Sequence, residues 1–296
     1  MLEFVSVTKS YGGTVVLDDL NFAVQPGQMF GFCGANGAGK TTTMRIALGL
    51  VRPDRGEVRW KGRTVDLEIR RRIGYMPEER GLYPKMRVAE QLTYFGMLHG
   101  MGRSDAHDSA VHYIERLGVN LRTGDALEKL SLGNQQKVQL AAALVHVPEV
   151  LILDEPFSGL DPVGVDALAE ALTERCRAGV PVVFSSHQLD LVERLCDSVG
   201  IINHGRMVAH GSVSELRERE GSRQLRVVTP DAPSGWATEL PGVHVLSEHG
   251  SEVLLELDDP SRDQEVLVAA QRTGRVQHFS WLAPSLTALF REAVAT

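Results

Sequence analysis

The stretch GFCGANGAGKTTTMRIALGL, residues 31–50, joins a short apolar segment to a helical pattern through a cluster of small residues. A tight turn needs a single glycine, whereas this cluster contains three, at Gly34, Gly37 and Gly39. Glycines at this spacing allow successive backbone N–H groups to converge on one point. Because converging amides at the start of a helix bind anions, the stretch predicts a phosphate-binding loop between a strand and a helix.

The loop fits the nucleotide-binding pattern G-x-x-x-x-G-K-[ST]. In that pattern the loop amides hold the phosphates, Lys40 reaches the β and γ phosphates, and Thr41 binds Mg²⁺. The alternative is a glycine-rich turn without a ligand, but the position between a strand and a helix favours nucleotide binding. The predicted site comprises Gly34, Ala35, Asn36, Gly37, Ala38, Gly39, Lys40, Thr41 and Thr42.

Two acids end a second apolar segment, VLILDEP, residues 150–156. Asp154 is placed to bind Mg²⁺, and Glu155 is placed to orient and polarise an attacking water. Paired acids after a strand also cap turns, but the phosphate loop favours the catalytic interpretation. The sequence therefore predicts a nucleotide-hydrolysing site.

Patterns around these motifs predict an α/β fold. Residues 2–30 resemble short alternating strands of an antiparallel layer, and residues 85–149 are mostly helical, with helices over 88–101, 105–119 and 132–147. The apolar runs VLILD and VPVVFSS are typical of a parallel sheet that is covered on both faces, and a hairpin follows at 199–211. We expect one domain over residues 1–217.

A second domain is expected after the charged run ELREREGSR, where the composition changes. Strand patterns at 223–229, 243–257 and 276–282, a helix near 263–274 and a final helix SLTALFREAVA, 285–295, predict a small α+β appendage over residues 222–296.

Composition limits the class of protein. The chain has 296 residues, a net charge of -7 and an apolar fraction of 43%, which fit about two domains and do not indicate nucleic-acid binding. Neither a secretory signal nor a membrane-spanning run of about 20 apolar residues is found, so we expect a cytosolic chain. Cys33, Cys176 and Cys196 lie far apart and are interpreted as packing residues.

Together with these motifs, four further segments resemble the ATP-binding subunits of ABC transporters. LSLGNQQKVQLAAAL, 130–144, resembles the ABC signature; SGLDP, 158–162, the D-loop; and FSSH, ending at His187, the switch histidine. Tyr11 lies at the position of the adenine-stacking aromatic. The resemblance covers residues 2–217 and implies a P-loop ATPase fold with an antiparallel β layer and a helical subdomain at about 85–149.

Departures from the common pattern indicate one bacterial branch. Glu78 stands where most members have glutamine, Asn134 replaces a commoner glutamine, and Leu132 replaces a glycine. Together with the C-terminal appendage, these motif variants resemble those of subunits that serve separate membrane proteins exporting drugs, antibiotics or sodium. Glu78 would add negative charge beside Mg²⁺ and phosphate.

The resemblance also implies roles and partners. Two subunits, expected to be copies of one chain, would share ATP, with Ser131, Gly133 and Asn134 facing the partner's γ-phosphate and Asp161 crossing between subunits. Glu155 and His187 would be the catalytic residues. Thr41, Asp154 and Glu78 would bind Mg²⁺. The cofactors are ATP and Mg²⁺, and the other partner is a membrane permease, with no nucleic acid and no membrane span.

We therefore expect a peripheral subunit at the cytoplasmic face of the membrane that powers export by ATP-driven dimerisation. A soluble ABC ATPase acting on ribosomes or DNA is the alternative, although such proteins usually carry two ATPase units or long coiled-coil insertions. A small-molecule kinase with a P-loop would not need the signature.

Overall fold

The computed structural model describes residues 1–79, 81–119, 125–219, 224–282, 286–287 and 290. The chain divides into two compact units, Met1–Val213 and Ser214–Glu292. The strands of the first unit are β1 (Leu2–Tyr11), β2 (Thr14–Val24), β3 (Met29–Gly34), β4 (Arg55–Trp60), β5 (Arg63–Thr64), β6 (Ile73–Met76), β7 (Val150–Leu153), β8 (Val182–Ser186), β9 (Ser198–Asn203) and β10 (Arg206–Ser212).

The described helices of the same unit connect these strands. They are α1 (Lys40–Ala47), α2 (Leu67–Arg70), α3 (Val88–Leu98), α4 (Arg103–Arg116), α5 (Leu132–Leu144), α6 (Pro162–Arg177) and α7 (Leu189–Leu195), and α8 (Val213–Arg219) follows at the unit boundary. Among the described helices, none is both long and apolar enough to cross a membrane.

Two sheets form the first unit. The larger has the order β10-β9-β3-β8-β7-β6, in which β10 is antiparallel and the remaining neighbours are parallel. The smaller has the antiparallel order β2-β1-β4-β5, which confirms the predicted layer. The predicted hairpin at 199–211 is the β9–β10 pair, and it belongs to the larger sheet.

The core between the two sheets is built on aromatic rings. Phe22 stacks on Phe4 with ring centroids 4.2 Å apart, and it lies 5.2 Å from Phe30 and 5.4 Å from Phe32. All four side chains are buried. Such pairs contribute beyond the burial of their area, and they anchor β3, the strand that leads into the glycine loop.

The helices α3, α4 and α5 confirm the helical region, but all three predicted C-terminal ends were wrong, and α5 ends at Leu144 rather than at residue 147. The helix predicted to reach residue 101 ends at Leu98, and Gly100 adopts φ 95°. The helix predicted over 105–119 spans Arg103–Arg116 and is followed by Gly118 at φ 59°. In both cases a left-handed glycine ends the helix, as glycines commonly do.

The second unit is a small α+β fold, as predicted. Its described elements are β11 (Gln224–Val228), β12 (Val243–His249), β13 (Glu252–Leu257), β14 (His278–Leu282) and α9 (Asp263–Thr273). The sheet is antiparallel in the order β12-β13-β11-β14, and its apolar core includes Val227, Leu255 and Val266. Most of the final helix predicted at 285–295 lies outside the described residues.

Candidate functional site

The predicted site lies where four neighbouring strands of the larger sheet end. β3 runs into the glycine loop, β7 into Asp154, β8 into His187, and β6 into the segment with Glu78. These four strands are parallel neighbours, so their carboxyl ends meet at one edge of the sheet. Ligands of open α/β sheets bind outside this edge.

The glycine loop cannot accept side chains at two of its positions. A Cβ on Gly34 would lie 2.6 Å from the carbonyl oxygen of Ile202, and a Cβ on Gly39 would lie 2.6 Å from Leu17. Gly39 also adopts φ 112° immediately before α1 begins. The loop is therefore held close against its neighbours, with α1 starting at Lys40.

Lys40 bonds to the start of the loop, and Thr41 bonds to Asp154. The Lys40 ammonium donates to the carbonyl oxygen of Gly34 at 2.7 Å and to that of Ala35 at 3.3 Å. The Thr41 hydroxyl donates to Oδ2 of Asp154 at 2.9 Å. This last bond brings together two of the three residues predicted to bind Mg²⁺, across 113 residues of sequence.

Ser185 organises the acid pair, although the sequence analysis did not single it out. Its hydroxyl donates to Oδ1 of Asp154 at 2.6 Å and accepts from the backbone N–H of Glu155 at 2.9 Å. Both Asp154 and Ser185 are buried. A serine in the apolar run VPVVFSS was the available signal, because a buried hydroxyl needs a partner.

Glu155 contacts the predicted switch histidine. Nδ1 of His187 lies 2.9 Å from Oε2 of Glu155, at the mouth of the site, where His187 is exposed. Burial raises the pKa of Glu155 above its usual value, against the lowering effect of His187. A carboxylate with a raised pKa is a better proton acceptor for a water molecule at neutral pH.

Most predicted ATP-site residues line one cleft of about 450 Å³. Tyr11 is 48% exposed there, so its ring is open for stacking, and Nζ of Lys9 lies 5.2 Å from the ring centroid. The cleft is lined by Tyr11, Val16, Asn36, Gly37, Gly39, Lys40, Thr41, Thr42, Glu78, Asp154 and Glu155. Val16 is a lining residue that the sequence analysis did not predict. Ala38 is buried in the core beneath the loop.

The signature residues lie elsewhere, at the start of α5. The Ser131 hydroxyl caps this helix by accepting from the backbone N–H of Asn134 at 3.4 Å. Leu160 lies beside Gly133, and Asp161 caps α6 by accepting from the N–H of Gly164 at 2.7 Å. None of these residues lines the described cleft.

The metal site predicted here is built from oxygen ligands. Thr41 and Asp154 offer a hydroxyl and a carboxylate, the ligand type that Mg²⁺ prefers. No group of three or more His, Cys, Asp or Glu side chains that could hold a metal occurs among the described residues. Mg²⁺ in nucleotide sites is commonly held by one or two carboxylates together with substrate phosphates, so these residues fit such an ion.

Comparisons with known proteins give family matches for both units. Residues 17–158 match the model described as ABC transporter, and residues 211–294 match the C-terminal domain described as ATP-binding protein DrrA1-3-like. The second match covers the region that the sequence analysis treats as an appendage.

Individual proteins are similar over most of the chain. The uncharacterized ABC transporter ATP-binding protein YhaQ of Bacillus subtilis (strain 168) is 40% identical over 99% of this chain and 98% of its own length. The Nod factor export ATP-binding protein I of Paraburkholderia xenovorans (strain LB400) is 35% identical over 86% of this chain and 84% of its own. A solved ATP binding subunit of an ABC transporter is 32% identical, with a TM-score of 0.70 over 75% of this chain and 93% of that chain.

Proposed function

The chain belongs to the ABC transporter ATP-binding proteins and is the ATPase of a transporter with a separate permease, and we propose that it powers export. The observation that supports the catalytic assignment is the Thr41–Asp154 bond in one cleft with Lys40 and Glu155. The Glu155 carboxylate in turn contacts His187, which does not line the cleft. The export direction rests on the similarity to the Nod factor export protein. The alternative activity on ribosomes or DNA has no support among these relatives.

The residues in and beside the cleft have different roles in ATP hydrolysis. Lys40 and the loop amides bind the phosphates, and Tyr11 stacks on the base. Thr41 and Asp154, with Glu78, hold Mg²⁺, which neutralises charge on the phosphates. Glu155 orients the attacking water and takes its proton, while His187 holds the γ-phosphate and positions that water beside Glu155.

The signature completes the site from a second copy of the chain. Ser131, Gly133 and Asn134 stand at the N-terminus of α5, where backbone N–H groups and the helix dipole favour an anion. Asp161 follows Leu160, whose side chain lies beside Gly133, and we place it in the same contact between the two subunits. We place the homodimer on a permease at the cytoplasmic face of the membrane, with the ATPase domain over residues 1–217 and the appendage over 222–296.

The test of catalysis is Glu155→Gln in the full chain. We expect ATP binding to persist and turnover to fall by about 100-fold or more, because the water loses its polarising carboxylate while the phosphate loop remains. Glu128→Gln, an exposed change of the same kind, serves as the control. Near-normal turnover of Glu155→Gln would remove this residue from the role.

The shared site is tested by mixing Ser131→Arg chains with Lys40→Ala chains in permease-containing membranes. Each variant alone damages both sites of its dimer, whereas a mixed dimer has one site with an intact loop and an intact signature. We expect partial recovery of ATPase activity on mixing. Full activity of the wild-type chain as a monomer at every concentration would refute the dimer.

Transport is measured in inside-out membrane vesicles that contain the chain and its permease. ATP-driven accumulation inside these vesicles corresponds to export from the cell. Accumulation that occurs only in right-side-out vesicles would refute the export direction and leave the ATPase assignment intact.

A further inference from the structure

Two glutamine side chains on α5 are buried and lie on one face of that helix. Gln136 is 5% exposed and Gln139 is 3% exposed. Residues three apart on a helix are neighbours, so the two side-chain amides leave the helix side by side. Buried amide N–H groups need hydrogen-bond partners, and Nε2 of each glutamine finds acceptors outside the helix, whereas Oε1 of Gln139 is buried without a partner among the described residues.

Gln139 forms hydrogen bonds with the backbone of the segment that carries Glu78. Its Nε2 donates to the carbonyl oxygen of Pro77 at 2.6 Å and to that of Glu79 at 3.3 Å. These two carbonyls lie on either side of Glu78, whose side chain is exposed and lines the ATP cleft. One amide group therefore fixes the backbone before and after the acid.

Gln136 makes the equivalent contact with the segment that carries Glu155. Its Nε2 donates to the carbonyl oxygen of Pro156 at 2.9 Å and to that of Glu155 at 3.3 Å. Glu155 adopts φ 49°, a left-handed conformation that disfavours side chains and persists only where its surroundings hold it. The amide of Gln136 is part of that support.

Both contacts join the ATP cleft to the helix that begins at the signature. α5 is a single helix from Leu132 to Leu144 with Ser131 as its cap, so Gln136 and Gln139 lie within its first eight residues. The carbonyls that they hold are 19 to 62 residues away in sequence. A shift at the Ser131 end of α5 moves both amides and, with them, both acid-bearing segments.

We propose that Gln136 and Gln139 are positioning residues that couple the signature helix to the two acids of the ATP cleft. The proposal rests on the proposed function, because it assigns catalytic use to those acids. Neither glutamine lines the described cleft. They act by setting where Glu155 and Glu78 stand when α5 engages the partner subunit.

The test uses Gln136→Leu and Gln139→Leu in the full chain, with Gln91→Leu as the matched control. Gln91 is fully buried on α3 and makes two bonds to the backbone of Tyr83, further along the segment that carries Glu78. All three changes remove a buried amide and leave backbone groups without partners, so each variant should be destabilised similarly. In the Gln136 and Gln139 variants the lost hydrogen bonds are made to backbone next to Glu155 or Glu78, whereas in Gln91→Leu they are made to Tyr83.

The expected result is a separation of kcat from KM. Misplacing a catalytic group by about 1 Å lowers rates by about 100-fold, so we expect kcat to fall at least about tenfold in the Gln136 and Gln139 variants. The KM for ATP should change by less than about threefold, because the phosphate loop is untouched. Gln91→Leu should keep kcat within about threefold of the wild type.

Hydrogen exchange gives a second readout that does not depend on turnover. In Gln139→Leu the backbone amides of Glu78 and Glu79 should exchange faster than in the wild type, and Gln91→Leu should leave them unchanged. Unchanged exchange at both amides, or an equal fall in kcat for all three variants, overturns the coupling.

The proposed function fails in a different way. If the wild type hydrolyses no ATP, or if Glu155→Gln stays active, the catalytic assignment is wrong, while hydrogen exchange at Glu78 and Glu79 still reports whether Gln139 holds that segment. If the wild type is active and Glu155→Gln is not, but both glutamine variants keep their kcat, only the coupling is refuted.

Discussion

We expect protonation of the buried His146 ring to lower the free energy of unfolding in acid. This residue follows α5, and its ring stacks on that of His99 with centroids 3.6 Å apart and planes 16° from parallel. Burial, together with the neighbouring His99, lowers the pKa of His146 from 6.5 to about 4. Arg70 and Tyr75 line the same groove as the two rings.

The sign of the effect follows from proton binding. Between pH 6.5 and 4 the unfolded chain binds a proton at His146 that the folded chain does not, so the folded state is favoured above this range and loses stability as the pH falls. With these two pKa values, the loss between pH 7.5 and pH 5.0 is about 2 kcal/mol.

The perturbation is His146→Leu, which removes the titrating ring. Urea unfolding at pH 7.5 and pH 5.0 gives the free energy of unfolding for the wild type and the variant, and the difference of the two pH effects isolates His146. Trp60 reports on the first unit if Trp236 and Trp281, which lie in the second, are replaced by Phe in both chains.

We expect the wild type to lose about 2 kcal/mol more than His146→Leu between the two pH values. His107→Leu, a change at an exposed position of α4, should keep the wild-type pH dependence because it leaves the buried ring in place. Equal pH effects in the wild type and His146→Leu would show that burial of this ring does not control its protonation.

Three further predictions concern the ATP cleft. Lys40→Ala should weaken binding of a fluorescent ATP analogue, because it removes a charge at the phosphates; unchanged affinity would contradict the phosphate loop. Tyr11→Ala should weaken ATP and GTP alike by about 1 kcal/mol, measured by equilibrium titration, since a ring stacks on either purine; loss of ATP binding alone would exclude simple stacking. Because burial raises the pKa of Glu155, the acidic limb of kcat against pH should lie above pH 4.5; a limb at or below that value would contradict its role as base.

The individual elements of the fold could be predicted from short stretches of sequence. The glycine loop, the apolar strands and the periodic helices are each encoded within about 10 to 20 consecutive residues. The order of the strands brings Lys40, Asp154 and Glu78 to one edge, and no local pattern in the sequence specifies that order. Their catalytic and binding roles remain predictions.

Some elements were left unpredicted although the sequence carries their signals. α6 begins with Asp161 as its cap and Pro162 in its first turn, the usual start of a helix, but the segment had been interpreted through its resemblance to the D-loop. Gln136 and Gln139 carry no such local signal. Their partners are separated from them by up to 62 residues, and only the packed structure shows which carbonyls a buried amide reaches.

The backbone of Glu155 explains how two consecutive acids serve one cleft. Consecutive residues of an extended strand point to opposite faces, so an acid directly after Asp154 would be expected to point away from it. Glu155 instead leaves the extended conformation, with φ 49°, and both side chains line the cleft. Ser185 accepts from its N–H and Gln136 donates to its carbonyl, so residues from β8 and α5 hold the turn from both sides. The position of the proposed base is thus a property of three distant segments, and a change in α5 reaches it through a single hydrogen-bonded amide.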